Sequence, residues 1–132
     1  MGVLDVFHAM THAGNLFVWY HSLAGFFGGI LFAGIVIPPR YFARFSSHLP
    51  AGILYGSVGV ALASAIFSDS LPQMTNAGAF SDVARVLNIV GGIGFLIAAG
   101  LLAWNPWPED DDHRRLFASH ALLFGVSGII FE

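Results

Sequence analysis

Three polar side chains near the start of the chain have the spacing best suited to binding a metal ion. Asp5, His8 and His12 lie at i, i+3 and i+7, so they would share one side of a helix predicted over residues 3–12. Two histidines four residues apart can share a metal, and the carboxylate completes a set that resembles the facial two-His-one-carboxylate arrangement. Zn or Cu would be the expected occupant. The alternative is that these residues form the solvent-exposed polar face of a short terminal helix.

Two further histidines lie about one turn inside long apolar runs. His21 is near the start of the run Phe17–Ile37, and His120 is near the start of the last run, Leu116–Phe131. Ionisable residues inside membrane spans are functional candidates by default, and neutral imidazole binds haem iron or the magnesium of a chlorin. The sequence therefore predicts His21 and His120 as axial ligands of haem b or of a chlorin. The alternative is that they hydrogen-bond to headgroups, to water or to neighbouring helices.

One shared haem between these two histidines is not expected. Their helices start from opposite faces of the predicted bundle, so the two side chains would differ in depth by more than about 10 Å across a core of about 30 Å. We expect them to serve separate sites, or one of them to serve none.

Composition places the chain in a membrane. Of its 132 residues 56% are hydrophobic and only 10% are charged, against about 25% charged in a soluble domain. Cys is absent, which excludes disulfides, thiolate metal sites and a Cys nucleophile. There is no Lys and there are five Arg, so no basic footprint for nucleic acid is present. Phosphate-binding glycine loops, HExxH and nucleophile motifs are missing, so an enzyme is not favoured.

Hydrophobic patterning predicts an all-α polytopic membrane protein, formed by residues 1–132 as one domain. Four spans are expected over about 15–37, 51–67, 83–104 and 116–131, arranged as two hairpins, with a short interfacial helix before them. Gly25 and Gly29 in the first span, and Gly52 and Gly56 in the second, have the small-xxx-small spacing of close helix contacts. We therefore expect the first two spans to form a tight hairpin. Trp19 and Tyr20 are expected at headgroup level.

Arginine counts predict the orientation. The first and third loops carry Arg40, Arg44, Arg114 and Arg115, whereas the other side carries only Arg85. By the positive-inside rule the two Arg-rich loops are cytoplasmic or matrix-facing, and both termini lie on the opposite side of a bacterial or organellar inner membrane. The N-terminal residues have Asp5 where a secretory signal has Lys or Arg, so the first span is expected to remain in the mature protein.

The first span resembles that of a group of small four-span membrane proteins. The residues that carry the resemblance are His21 to Gly25, Gly28-Gly29 to Phe32, and Val36 to Pro38, in which a His near the helix start is followed by Gly-Gly and a closing Pro. The group includes the CopD-like copper-resistance membrane domains and related haem-b-type proteins. Phe26 and Phe27 stand where that group usually has a Trp. The resemblance implies a haem or copper role, and it points to His21 alone.

Three functions follow as hypotheses. The first is a non-catalytic accessory subunit of a larger membrane complex of respiratory or photosynthetic type, because the helices are short, carry small-residue faces and bear no enzyme motif. The second is a haem b or chlorin protein of electron transport, with His21 or His120 as ligand. The third is a copper-handling membrane protein that uses Asp5, His8 and His12.

Overall fold

A computed structural model describes residues 2–34, 37, 39–42, 47–104 and 112–130 and shows a helical protein. The helices are α1 (Gly2–Met10), α2 (Asn15–Ala33), α3 (Pro39–Phe42), α4 (Leu49–Ile66), α5 (Asp82–Trp104) and α6 (Asp112–Ile130). One turn of 3₁₀ helix (Ser68–Ser70) follows α4. A two-residue hairpin, β1 (Thr75–Asn76) and β2 (Ala79–Phe80), precedes α5.

Three of these helices are long and apolar enough to cross a membrane, which confirms the membrane class. They are α2, α4 and α5, with 19, 18 and 23 residues. α2 ends at Ala33 with Gly34 as its cap, four residues short of the predicted end at Ile37. α5 begins at the predicted place, and the Ser81 hydroxyl caps it by accepting from the Ala84 N–H at 3.3 Å. The fourth predicted span corresponds to α6, which has 19 residues but begins with charged residues and is not among the three helices apolar enough to cross.

Glycines bring α2 and α5 into backbone contact. A Cβ built on Gly91 would lie 2.6 Å from the Gly25 carbonyl oxygen, and one built on Gly29 or Gly94 would also collide with the facing backbone. Gly25 lies opposite Gly91, and further along Phe32 lies against Phe95, so the two helices run parallel. The predicted small-residue face of the first span is therefore used, and its partner is α5.

α6 packs on the other side of α5 and runs antiparallel to it. Gly92 faces Gly125 and Gly128, and Phe95 stacks on Phe124 with ring centroids 5.5 Å apart. At the far end the Arg114 side chain donates to the Leu102 carbonyl oxygen. α5 and α6 thus form a close antiparallel pair.

The prediction that the first two spans pack closely as a hairpin is wrong, because long side chains hold α2 and α4 apart. The Tyr20 hydroxyl donates to the Ala61 carbonyl oxygen at 2.7 Å, and the Trp19 indole N–H donates to the Ser64 hydroxyl at 3.0 Å. These two aromatic residues bridge α2 to the last turns of α4. A Cβ on Gly52 or Gly56 would meet no atom within 4 Å, so these two glycines of α4 make no close helix contact in the described part of the chain.

The interfacial position expected for the N-terminal helix was also wrong. α1 folds back antiparallel to α2, in the space between α2 and α4, with Leu4 buried against Tyr20, Leu23, Ala24 and Ala61. Val6 and Met10, two other apolar residues of α1, are exposed. Packing between helices decides which face of α1 is buried, because Leu4 fills the space between α2 and α4 that the two aromatic bridges leave open.

The start of α2 is hydrogen-bonded to the segment before α5. The Asn15 amide donates to the Pro72 carbonyl oxygen at 3.0 Å, and its own oxygen accepts from the Met74 N–H at 2.6 Å. In the hairpin that follows, Ala77 and Gly78 take positive φ angles of 51° and 84°, as a two-residue turn requires. The starts of α2 and α5 and the end of α4 therefore lie at one end of the bundle, called the hairpin end below.

Candidate functional site

The structure does not bring Asp5, His8 and His12 together as a set. α1 ends at Met10, where the Thr11 hydroxyl donates to the Phe7 carbonyl oxygen, so His12 leaves the helical register. Across the residues that the structure describes, no three His, Asp or Glu side chains are grouped so that they could hold a metal ion. His8 instead has a packing role.

His8 packs against α2 and pairs with His21. Its Nδ1 lies 3.0 Å from the Phe17 carbonyl oxygen, which can only accept, so Nδ1 carries the proton of this bond. The ring lies over Phe17 at a centroid distance of 3.8 Å and approaches the His21 ring at 5.2 Å. The fold-back of α1 thus joins two of the predicted site histidines.

His21 and Asp5 line the same cavity. It has a volume of about 660 Å³, within the range of about 300–1,000 Å³ typical of small-molecule sites. Asn88, a buried residue of α5, contributes a third polar side chain to the lining. The rest is apolar or small and comes from α2, α5, α6 and strand β2: Ala24, Gly25, Phe80, Gly92, Phe95, Phe124, Ser127 and Gly128.

His120 lies in a different, smaller cavity. This cavity has a volume of about 290 Å³ and is lined by Phe32, Phe95, Leu116, Phe117, His120, Ala121 and Phe124. His120 Nδ1 lies 2.8 Å from the Leu116 carbonyl oxygen, one turn earlier in α6. In the neutral ring that bond fixes the proton on Nδ1 and leaves the Nε2 lone pair for a ligand.

The two cavities share two lining residues, but their histidines lie at different positions along α5. Phe95 and Phe124 line both. Gly25 lies opposite Gly91, and Gly125 lies opposite Gly92. His21 precedes Gly25 by one turn in a helix parallel to α5, and His120 precedes Gly125 by more than one turn in an antiparallel one. The two histidines therefore lie near opposite ends of α5, about 15 Å apart along its axis.

This geometry does not fit one haem held by both histidines. A single iron needs its two axial ligands a few ångströms apart, whereas these two imidazoles lie at opposite ends of α5. Among the described residues that line the His21 cavity, Asp5 is the only charged one, and no Arg is present to pair with haem propionates. Separate sites for His21 and His120 agree with the depth argument from the sequence.

Sequence reasoning missed the pairing of His8 with His21 and the role of Asn88. His8 and His21 are thirteen positions apart, and only the turn over residues 11–14 brings them together. Thr11 and Gly14 mark that turn in the sequence, and they were the available signal for the fold-back. Asn88 is noticeable as an amide in an apolar helix, but its neighbours depend on which glycine faces meet.

Comparison with known proteins finds no match to this chain among family models, curated proteins or solved structures. Its function is therefore argued from its own residues.

Proposed function

We propose that this chain is a non-catalytic membrane subunit of a larger assembly, as expected for a complex of respiratory or photosynthetic type. The observation that carries the proposal is the position of α4. Only 11% of the residues in its apolar 18-residue segment are buried, against 33% in the corresponding segments of α2 and α5. α4 is attached to the rest of the bundle through α1 and two aromatic bridges, which leaves most of its surface for lipid or a partner.

The glycines of α4 differ from those of the other long helices. Gly29, Gly91 and Gly94 meet facing backbone, and Gly92 and Gly125 pack against each other, whereas Gly52, Gly56 and Gly59 of α4 face open space. Small residues at four-residue spacing permit close approach of another helix. α4 thus repeats the sequence pattern used inside this protein, without an internal partner.

A groove lies beside these glycines. α1 reaches only part of the way along α2, and beyond Leu4 the gap between α2 and α4 remains as an apolar cavity of about 270 Å³. Phe27, Ile30, Gly52 and Gly56 are among the residues that line it. An apolar transmembrane helix of a partner subunit is the occupant proposed for the groove and the adjoining glycines.

α6 is inferred to be the fourth span. It has 19 residues, about 28 Å at 1.5 Å per residue, and it packs along α5 through Gly92 and Gly125. Arg114 and Arg115 stand at its start, at the end of the bundle opposite the hairpin end. With Arg40 on the same side, the positive-inside rule favours that end in the cytoplasm or matrix and the hairpin end, where α6 ends, on the outside. α1 begins within the bundle, beside Leu23 and Ala24.

The experiment for the subunit proposal is gentle purification of the tagged chain from its own membrane, with the particle mass measured. A particle heavier than this chain and its detergent, with the same membrane proteins present in fixed ratio, is expected. A monodisperse monomer without co-purifying protein would contradict the proposal.

A cofactor held by His21 or His120 is the second candidate. The observation that favours it is the placement of each imidazole in a cavity beside Phe95 and Phe124. A haem b would give the protein a Soret band and a chlorin a red band in its absorption spectrum. A colourless, iron-free preparation from the native membrane would contradict this candidate. A copper-handling role has less support, because the described residues hold no three-ligand group.

A further inference from the structure

The cavity at His21, with a volume of about 660 Å³, is large enough for a substituted ring. Gly25, Gly92 and Gly128 are part of its lining, and Gly92 and Gly128 pack against each other between α5 and α6. Phe95 and Phe124 stack on each other with ring centroids 5.5 Å apart and an interplanar angle of 27°, and both rings contribute aromatic surface to the lining. Aromatic rings bind planar aromatic ligands through offset stacking.

The polar side chains in the cavity offer both donors and acceptors. The Asp5 carboxylate accepts, and the His21 imidazole and the Asn88 amide can each donate and accept. Asn88 reaches the α2 side of the cavity, since its Oδ1 would lie 4.0 Å from a Cβ on Gly25. A ligand with carbonyl or hydroxyl groups on its ring could be bound in either form.

The charge of the lining selects against anions. Asp5 is the only charged residue among the described residues of the lining, and an anion beside a carboxylate at membrane depth is costly. Phospholipid phosphates and carboxylated pigments are therefore disfavoured. What remains is a neutral, membrane-soluble ring compound with oxygen substituents.

We propose that this cavity binds a lipid-soluble quinone or its quinol. The ring packs on Phe95 and Phe124, and its oxygens are held by Asp5, His21 and Asn88. The aliphatic tail extends into the bilayer. This site is separate from the α4 groove, so it does not depend on the presence of a partner subunit.

The test uses the full chain in lipid nanodiscs with a tritiated benzoquinone that bears a decyl tail. Binding is measured at equilibrium, and the signal of empty discs is subtracted. Saturable binding of about one quinone per chain is expected. His21→Leu should weaken it at least tenfold, whereas His21→Gln, which keeps the hydrogen bond, should recover most of the affinity. His48→Leu, at an exposed position that lines neither cavity, is the matched control and should bind like the native chain.

Two further measurements test the proposal even if the His21→Leu variant does not fold. Helical circular dichroism and gel-filtration elution report whether each variant is folded. Asp5→Ala changes an exposed residue and should weaken quinol binding several-fold, because the carboxylate accepts from the quinol hydroxyl. Binding that does not saturate, or that falls equally in the His48→Leu variant, would overturn the proposal.

Discussion

At the residue scale, the glycines decide which helices touch. The native contacts leave no room for a methyl group at Gly91, whose Cβ would lie 2.6 Å from the Gly25 carbonyl oxygen, whereas Gly100 of the same helix has open space. The sequence alone predicts that such glycines are used in packing. It cannot tell Gly91 from Gly100, because both lie in the same apolar run and the difference depends on which face α2 covers.

Gly91→Ala is expected to destabilise the protein by about 1–3 kcal/mol, as overpacking in a close contact does. Gly100→Ala is the matched control and should be neutral or slightly stabilising. Denaturant unfolding in detergent micelles, followed by circular dichroism, measures both. Equal stability of the two variants would contradict the close contact of α2 and α5.

Two buried serines should respond differently to the loss of their hydroxyl groups. Ser64 accepts from the Trp19 indole N–H, whereas the buried Ser22 hydroxyl has no hydrogen-bond partner among the described residues. Ser64→Ala should cost about 0.5–1.5 kcal/mol, and Ser22→Ala should be neutral or stabilising. The same unfolding measurement compares them. A larger loss for Ser22→Ala would show that its hydroxyl has a partner after all.

At the scale of the elements, the helices were predictable and several of their neighbours were not. Uninterrupted apolar runs predicted the spans. The sequence did not decide which helix packs on Gly25 and Gly29, because both α4 and α5 contain glycines suited to that contact. Tyr20 and Trp19 decide between them, because their long side chains bridge to Ala61 and Ser64 and keep α4 at a distance. The same spacing admits α1, which explains why the helix expected at the interface folds back.

The fold-back of α1 can be tested by cross-linking, since the native chain has no Cys. Leu4 and Ala61 belong to one buried cluster, whereas Val6 points away. A Leu4→Cys, Ala61→Cys pair should join rapidly with a short bifunctional thiol reagent, and a Val6→Cys, Ala61→Cys pair should not. Equal yields from the two pairs would indicate a mobile helix at the interface.

At the scale of the whole molecule, the account predicts four crossings with the hairpin end outside. Single cysteines at His48 and His113 should react with a membrane-impermeant maleimide from the cytoplasmic or matrix side. A cysteine at Asn76 should react from the opposite side; all three positions are exposed. Labelling of His113→Cys from the side of Asn76→Cys would show that α6 does not cross.

The central claim, that α4 is the surface for a partner subunit, is tested most directly by two matched variants in the native membrane. Gly56→Leu fills the open glycine face of α4, and Gly100→Leu adds the same side chain at an open position of α5. The size of the native particle is then measured after mild solubilisation. The account predicts that Gly56→Leu releases a monomer whereas Gly100→Leu leaves the large particle intact. A large particle of unchanged size in both variants would contradict it.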